Sequence, residues 1–288
     1  MIRTFLESAE YEARIASHEE RAAGFVEPHL ARRRRAQKHP VWDFLFDYYR
    51  FRPTHLKKWH PGANTVLLDA STLPQASWRD YQVVDSRHVC ANIASLLEHR
   101  EQDVREIDEL LRATASRSAH FDCFGLHEWA MLYREERPRH DLPLRLGADG
   151  TNSVVESHQL RCSHFDAFRF FTPPARPLNV VALRREDQVS REQPGCVHAT
   201  MDLFKWALKL GPLVPGELLL DCFELAKDAR RLDMEASPYD CRELGFDIVP
   251  VETTEGKATY VQRQRALSAR GEELRSRLVA LLDVVLGR

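Results

Sequence analysis

Apolar residues recur along this chain at intervals of three and four more often than at intervals of two, which predicts helices. Pro215–Leu232 predicts one strongly amphipathic helix, and Met201–Leu210 another with an aromatic face. Leu267, Leu274, Leu278, Leu281 and Leu282 stay in step through a terminal helix over 257–285. Earlier, residues 2–26 predict a charged amphipathic helix that Arg32–Arg35 either continue or follow after a break at Pro28. His39-Pro40 opens a new element carrying Phe44, Leu45, Tyr48 and Tyr49 at helical spacing, and Pro53 closes it. Residues 88–116 read as one or two helices, 121–134 as a buried helix, 165–171 and 184–192 as short helical pieces, and 135–153 as a polar loop. Strand signals are few and short: Val66–Leu68, Tyr81–Val84 and Phe246–Val251. With no internal repeat and no linker composition, the expectation is a mainly α protein. It would be a single globular helical domain over 1–288 with a few short strands, and its basic N-terminal segment 1–60 packed on it.

Composition narrows the classes. The 288 residues suffice for a full core, and 43% hydrophobic with 29% charged residues is ordinary for a globular chain. A net charge of −2 gives the molecule as a whole no pull toward nucleic acid. No apolar run approaches the roughly 18 residues that span a bilayer, and the N-terminus has no hydrophobic leader pattern, so the expectation is a cytoplasmic protein without a membrane partner. The six cysteines are scattered without a CxxC, which argues against a disulfide framework or a zinc ribbon. Locally, His29–His60 carries nine Lys or Arg against two acids. There Arg50, Arg52, Lys57 and Lys58 alternate with Tyr48, Tyr49, Phe51 and Trp59, a pattern open to DNA, a nucleotide or a solvated helix face.

The chemistry-bearing stretch is 120–206, where imidazoles and carboxylates recur among large apolar side chains. Burying such groups costs several kcal/mol unless they are paired. His198 and Asp202 are four apart on a predicted helix and share a face. His164 and Asp166 would point the same way if that segment is extended, and Glu156 and His158 lie just ahead. His127 and Glu128 are adjacent, so one faces a site and the other a salt bridge or the surface. His120 and the cysteines read as structural. The metal-ligand candidates are His127, His158, His164, His198 and Asp202, a donor set suited to iron, manganese or zinc. Walker A, G-x-G-x-x-G and G-x-S-x-G motifs are absent, which removes P-loop, Rossmann and α/β-hydrolase chemistry as leading ideas.

Five strings distributed over the chain resemble one family. They are His39–Pro53 (HPVWDFLFDYYRFRP), Cys123–Met131 (CFGLHEWAM), Cys162–Thr172 (CSHFDAFRFFT), Glu192–Cys196 (EQPGC) and Leu232–Asp240 (LDMEASPYD). They are similar to an actinobacterial family labelled 3-methyladenine DNA glycosylase. The resemblance implies a DNA-repair hydrolase that cleaves the N-glycosidic bond of an alkylated purine with no obligatory cofactor. The candidates would then be His164, Asp166, Glu128 and Asp202 for catalysis. Trp129, Phe168 and Trp206 would hold the base, and Arg50 and Arg52 the substrate. Helix-hairpin-helix glycosylases carry a Leu-Pro-Gly-hydrophobic-Gly turn with an Asp some way downstream. The nearest string here is Leu213–Leu218, with Leu218 at the second Gly and Glu217 adding a negative charge; Asp233 and Asp240 lie downstream. Two alternatives stand beside this reading: a metal-dependent oxygenase or hydrolase acting on a small molecule, and a non-enzymatic helical protein that binds nucleic acid or a partner.

Overall fold

The computed structural model describes residues 4–288. Among them, 58% are helical, in eleven α-helices and a few short 3-10 turns, and one small sheet accompanies them, so the chain is mainly α. The helices are α1 Ser8–Arg34, α2 Phe44–Tyr49, α3 Pro53–Leu56, α4 Ile93–Ala115, α5 Leu126–Ala130, α6 Gly147–Glu156, α7 Phe165–Phe168, α8 Gln188–Arg191, α9 Val197–Leu210, α10 Gly216–Glu235 and α11 Thr254–Leu286. The strands are β1 Thr4–Leu6, β2 Thr65–Leu67, β3 Tyr81–Val84 and β4 His88–Ala91. The chain divides into two compact units. Among the described residues, the first comprises 4–111, 203–224 and 273–288, and the second 112–202 and 225–272. No helix is long and apolar enough to cross a membrane among the described residues.

The first unit holds the sheet, in the order β1-β2-β4-β3, with β1 parallel to β2 and the other pairs antiparallel. Leu6, Tyr11, Trp59, Leu67, Tyr81 and Val89 form a core against it. A second apolar layer joins Phe46, Phe51, Phe204 and Phe223, with ring centroids 4.9–6.4 Å apart. α1 continues through Pro28 as one helix. Asp43 anchors the turn that follows it. Its carboxylate accepts from the His39 amide (2.8 Å), from His29 and from Arg32, which together hold it down at about 2 against the cost of burial.

Several sequence expectations are corrected. The helix expected from residue 2 starts only at Ser8, and Thr4–Leu6 is a strand paired with β2; residues 2 and 3 lie outside the described part. Residues 88–91 are strand, because Asp85 and Ser86 adopt positive φ (50° and 61°) and fold β4 back on β3. Neither residue is the glycine that usually announces such a turn. Phe246–Val251 forms no strand, the predicted 135–153 loop contains the start of α6, and the buried helix expected over 121–134 shortens to α5.

His60 shows how this packing sets a pH response. Its Nδ1 is hydrogen-bonded to the Tyr81 hydroxyl at 2.8 Å. Burial, with His18 and Lys58 nearby, pushes its pKa down to about 4 from 6.5. The unfolded chain takes up this proton below pH 6.5 and the folded chain does not until about 4. The stabilising contribution is therefore complete above 6.5 and declines as pH falls through that window. Urea unfolding at pH 7 and pH 5 should show a loss of about 2 kcal/mol that is missing in His60→Gln.

Candidate metal centre

The candidate site lies wholly in the second unit and is built outward from α5. Gly125, at φ 71°, turns the chain into this helix, where a Cβ would press on the Tyr260 ring. One short turn then directs His127, Glu128 and Trp129 inward. The Trp129 ring is fully buried and its Nε1 donates to the Ala236 carbonyl, so the indole is core and offers no face to a substrate.

His127 Nε2 donates to Asp233 Oδ1 at 2.6 Å, and Asp233 Oδ2 accepts from Arg230 Nη1 at 2.8 Å. The same Arg230 nitrogen donates to Glu128 at 2.9 Å. Burial works against a charged His127, yet the Asp233 carboxylate outweighs it and lifts the imidazole well above 6.5. Burial likewise works to raise Asp233, and His127 with Arg230 hold it below the usual range. Glu128 rises, first from burial and then from the Asp233 charge. The adjacent His127 and Glu128 thus point apart, one to Asp233 and the other imidazoles and one to Arg230.

α9 supplies the centre of the cluster. His198 and Asp202 stand one turn apart and are both buried. The His198 ring meets His127 edge-on at 4.4 Å and stacks on His164 at 5.4 Å. His164, fully buried, has Glu192 Oε1 3.0 Å from Nδ1 and Asp202 Oδ2 3.6 Å from Nε2, but neither contact has hydrogen-bond geometry. Against burial, these two carboxylates raise His164 to about 9. Burial lowers His198 to about 3, and the charges on His127 and His164 push the same way, which leaves it the neutral imidazole of the three.

Two sets of donor atoms result. One atom each from His127, His198 and Asp233 lies within 4.8 Å of the others, and so does one each from His164, Glu192 and Asp202. Around them several buried polar atoms have no hydrogen-bond partner: His198 Nδ1, both ring nitrogens of His164, and the Tyr260 hydroxyl. Each such group costs about 1–3 kcal/mol when left unmet. Three imidazoles and three carboxylates with unmet nitrogens are side chains that could hold a metal ion. Glu192 faces one nitrogen of His164 and Asp202 the other, so this ring lies between two carboxylates.

The cysteines behave as structural thiols. All six are free. Cys123 Sγ lies 3.6 Å from His127 Nδ1, and Cys162 Sγ donates to the His164 carbonyl at 3.4 Å. Burial pushes Cys196 up to about 12 and, with Cys123 and Cys196 nearby, lifts Cys162 well above 9, so neither ionises near neutral pH.

Other sequence candidates fall elsewhere. Residues 165–168 are helical rather than extended, so Asp166 diverges from His164 and pairs instead with Arg185 (2.6 Å) and Arg169 (3.1 Å). His158, at the end of α6, donates through Nδ1 to the Val154 carbonyl at 2.7 Å, and Glu156 is exposed beside Arg134 and Tyr133. Phe168 is buried against Phe171. Arg50, Arg52 and Trp206 belong to the first unit, the two arginines exposed and Trp206 lying under Lys205 and Lys209. Sequence reasoning missed Glu192 as a donor, Asp233 as the partner of His127, and Arg230. Each carboxylate lies within a string that carries the family resemblance, Glu192–Cys196 and Leu232–Asp240, and that was the available signal.

The loop after α8 that carries Glu192 is held rigidly. Gln193 Oε1 accepts from the His120 and Gly195 amides, both at 2.8 Å, and Gln193 Nε2 donates to the His120 carbonyl. From α11, Gln264 donates to the Gly195 carbonyl and Ser268 to that of Pro194. A Cβ on Gly195 would run into the His120 carbonyl oxygen. Gly195→Ala should therefore destabilise the protein by about 1–3 kcal/mol in urea titrations. It should also displace Glu192 from His164, which a shift of the His164 imidazole NMR signals would report.

Compared with known proteins, the chain matches no family model, no curated protein and no solved structure.

Proposed function

We propose that the second unit is the catalytic part of a metal-dependent enzyme, an oxygenase or hydrolase acting on a small molecule. The observation that carries this reading is the burial of three imidazoles and three carboxylates in two adjoining donor sets, with His164 and His198 nitrogens unmet. His127, His198 and Asp233 would hold one ion, or His164, Asp202 and Glu192 would do so. The two sets share the face of α9 that bears His198 and Asp202. When bound, the ion supplies Lewis acidity in a site screened from water. The residues themselves fix ligand orientation. Arg230 balances the Asp233 and Glu128 charges, and Gln193 holds the loop that carries Glu192.

Metal analysis of the purified protein tests the proposal without a guess at substrate. A stoichiometric transition metal that is lost in His164→Ala and His198→Ala is the expected result. Metal-free protein whose stability is the same with and without chelator would defeat it. The reaction implied by the family resemblance is assayed on the same preparation. Release of 3-methyladenine from alkylated duplex DNA by metal-free protein, above a buffer blank, would place N-glycosidic hydrolysis first.

A further inference from the structure

A cavity of about 570 Å³ opens on the second unit, within the range of small-molecule sites. Its lining includes Cys123 and Cys162. Cys123 Sγ lies 3.6 Å from the His127 ring, and Cys162 Sγ donates to the His164 backbone carbonyl. Through Cys123, the cavity therefore comes within one side chain of the His127 imidazole. Its other lining residues differ in character from one side to the other. Val180, Val181 and Leu183 contribute apolar surface, and Val180 is 54% exposed. Arg117, Arg161 and Arg191 contribute three guanidinium groups against one lining acid, Asp122.

Two of those guanidinium groups are already fixed in place. Arg117 Nη1 donates to the Glu192 carbonyl at 2.9 Å, which ties it to the loop bearing a cluster carboxylate. Arg161 donates to Asp122 at 3.0 Å and to Gln159 at 2.6 Å. A guanidinium has five N–H donors, so each retains others after these bonds. Guanidinium groups oriented at a cavity wall bind a carboxylate or phosphate oxyanion through paired N–H donors.

We propose that this cavity is the substrate entrance to the imidazole–carboxylate cluster and that it selects an amphipathic organic anion. The oxyanion head would bind Arg117, Arg161 and Arg191, and the apolar body would lie along Val180, Val181 and Leu183 with its far end at Cys123 and Cys162. The assignment of this ligand as the substrate rests on the metal-enzyme reading; the anion site itself does not.

Octanoate and octyl phosphate are suitable probes, with octanol as the neutral control. Titration calorimetry on the full chain at fixed ionic strength, with and without chelator, reads the binding. One or both anions should bind at least tenfold tighter than octanol, and their ratio distinguishes a carboxylate from a phosphate site. Arg191→Gln and Arg161→Gln, both at exposed positions, should each weaken anion binding about tenfold while leaving octanol binding and metal content unchanged. Leu183→Asp should weaken all three probes. Equal affinity for octanol and the anions, or anion binding unchanged in both arginine variants, overturns the proposal. Anion binding to a protein that never contains metal would leave the anion site standing and remove the metal-enzyme reading. Metal-loaded protein that ignores both anions would do the reverse.

Discussion

Replacing Asp233 by alanine should cost about 3–5 kcal/mol of stability, the range found when one partner of a buried ion pair is removed. Asp233 is fully buried and joins His127 to Arg230 through hydrogen bonds. Without it, Arg230 keeps Glu128, but His127 loses the carboxylate that holds its proton. The imidazole must then either stay charged without a counter-ion or become neutral. Either outcome is unfavourable where no solvent reaches. Asp233→Asn keeps the volume and one acceptor, so it should lose less than the alanine variant. Urea unfolding in the presence of chelator measures this electrostatic part apart from any metal. A loss below about 1 kcal/mol, the scale of an exposed pair, would mean that the network does not hold the second unit together.

The second large effect expected is on thermal stability when the metal is removed. A ligand that binds only the folded state at about a thousand times its Kd stabilises by about 4 kcal/mol. For a chain of this size about 1 kcal/mol corresponds to roughly 2–4 °C, so chelation should lower Tm by roughly 10 °C. His164→Ala removes a fully buried imidazole that faces both Glu192 and Asp202, leaving two carboxylates close together with no cation between them. That variant should lose the metal and show no further fall in Tm with chelator. His158→Ala is the control. Its Nδ1 is satisfied by the Val154 carbonyl at the end of α6, so metal content and the chelator response should match those of the parent protein. Calorimetric scans with and without chelator, read beside elemental analysis, check all three proteins. An unchanged Tm in metal-free parent protein would count against the centre.

The long helices were legible because their burial follows sequence order. α10 and α11 lie close to the spans that leucine spacing predicts, and α9 begins only a few residues before its predicted start. β4 was not legible, since its identity depends on the positive-φ turn at Asp85 and Ser86 and on pairing with β2 and β3. Helical periodicity in the residues that follow it pointed the other way. Phe246–Val251 shows the opposite error, an apolar run that reads as a strand and finds no neighbour to pair with.

The same division applies to the site. By itself, the sequence determined that His198 and Asp202 share a face, because four residues on one helix fix their separation, and that imidazoles in an apolar stretch need partners. Which partners they have was decided by the tertiary structure. Asp233 reaches His127 across 106 residues of sequence, and Glu192 reaches His164 from a loop pinned by Gln193, Gln264 and Ser268. A local turn sent Asp166 and His158 to arginine and to backbone instead. Spacing along a helix sets geometry over a few residues; beyond that, the choice of counter-charge for a buried imidazole follows from which helices pack together, and no interval in the sequence encodes it.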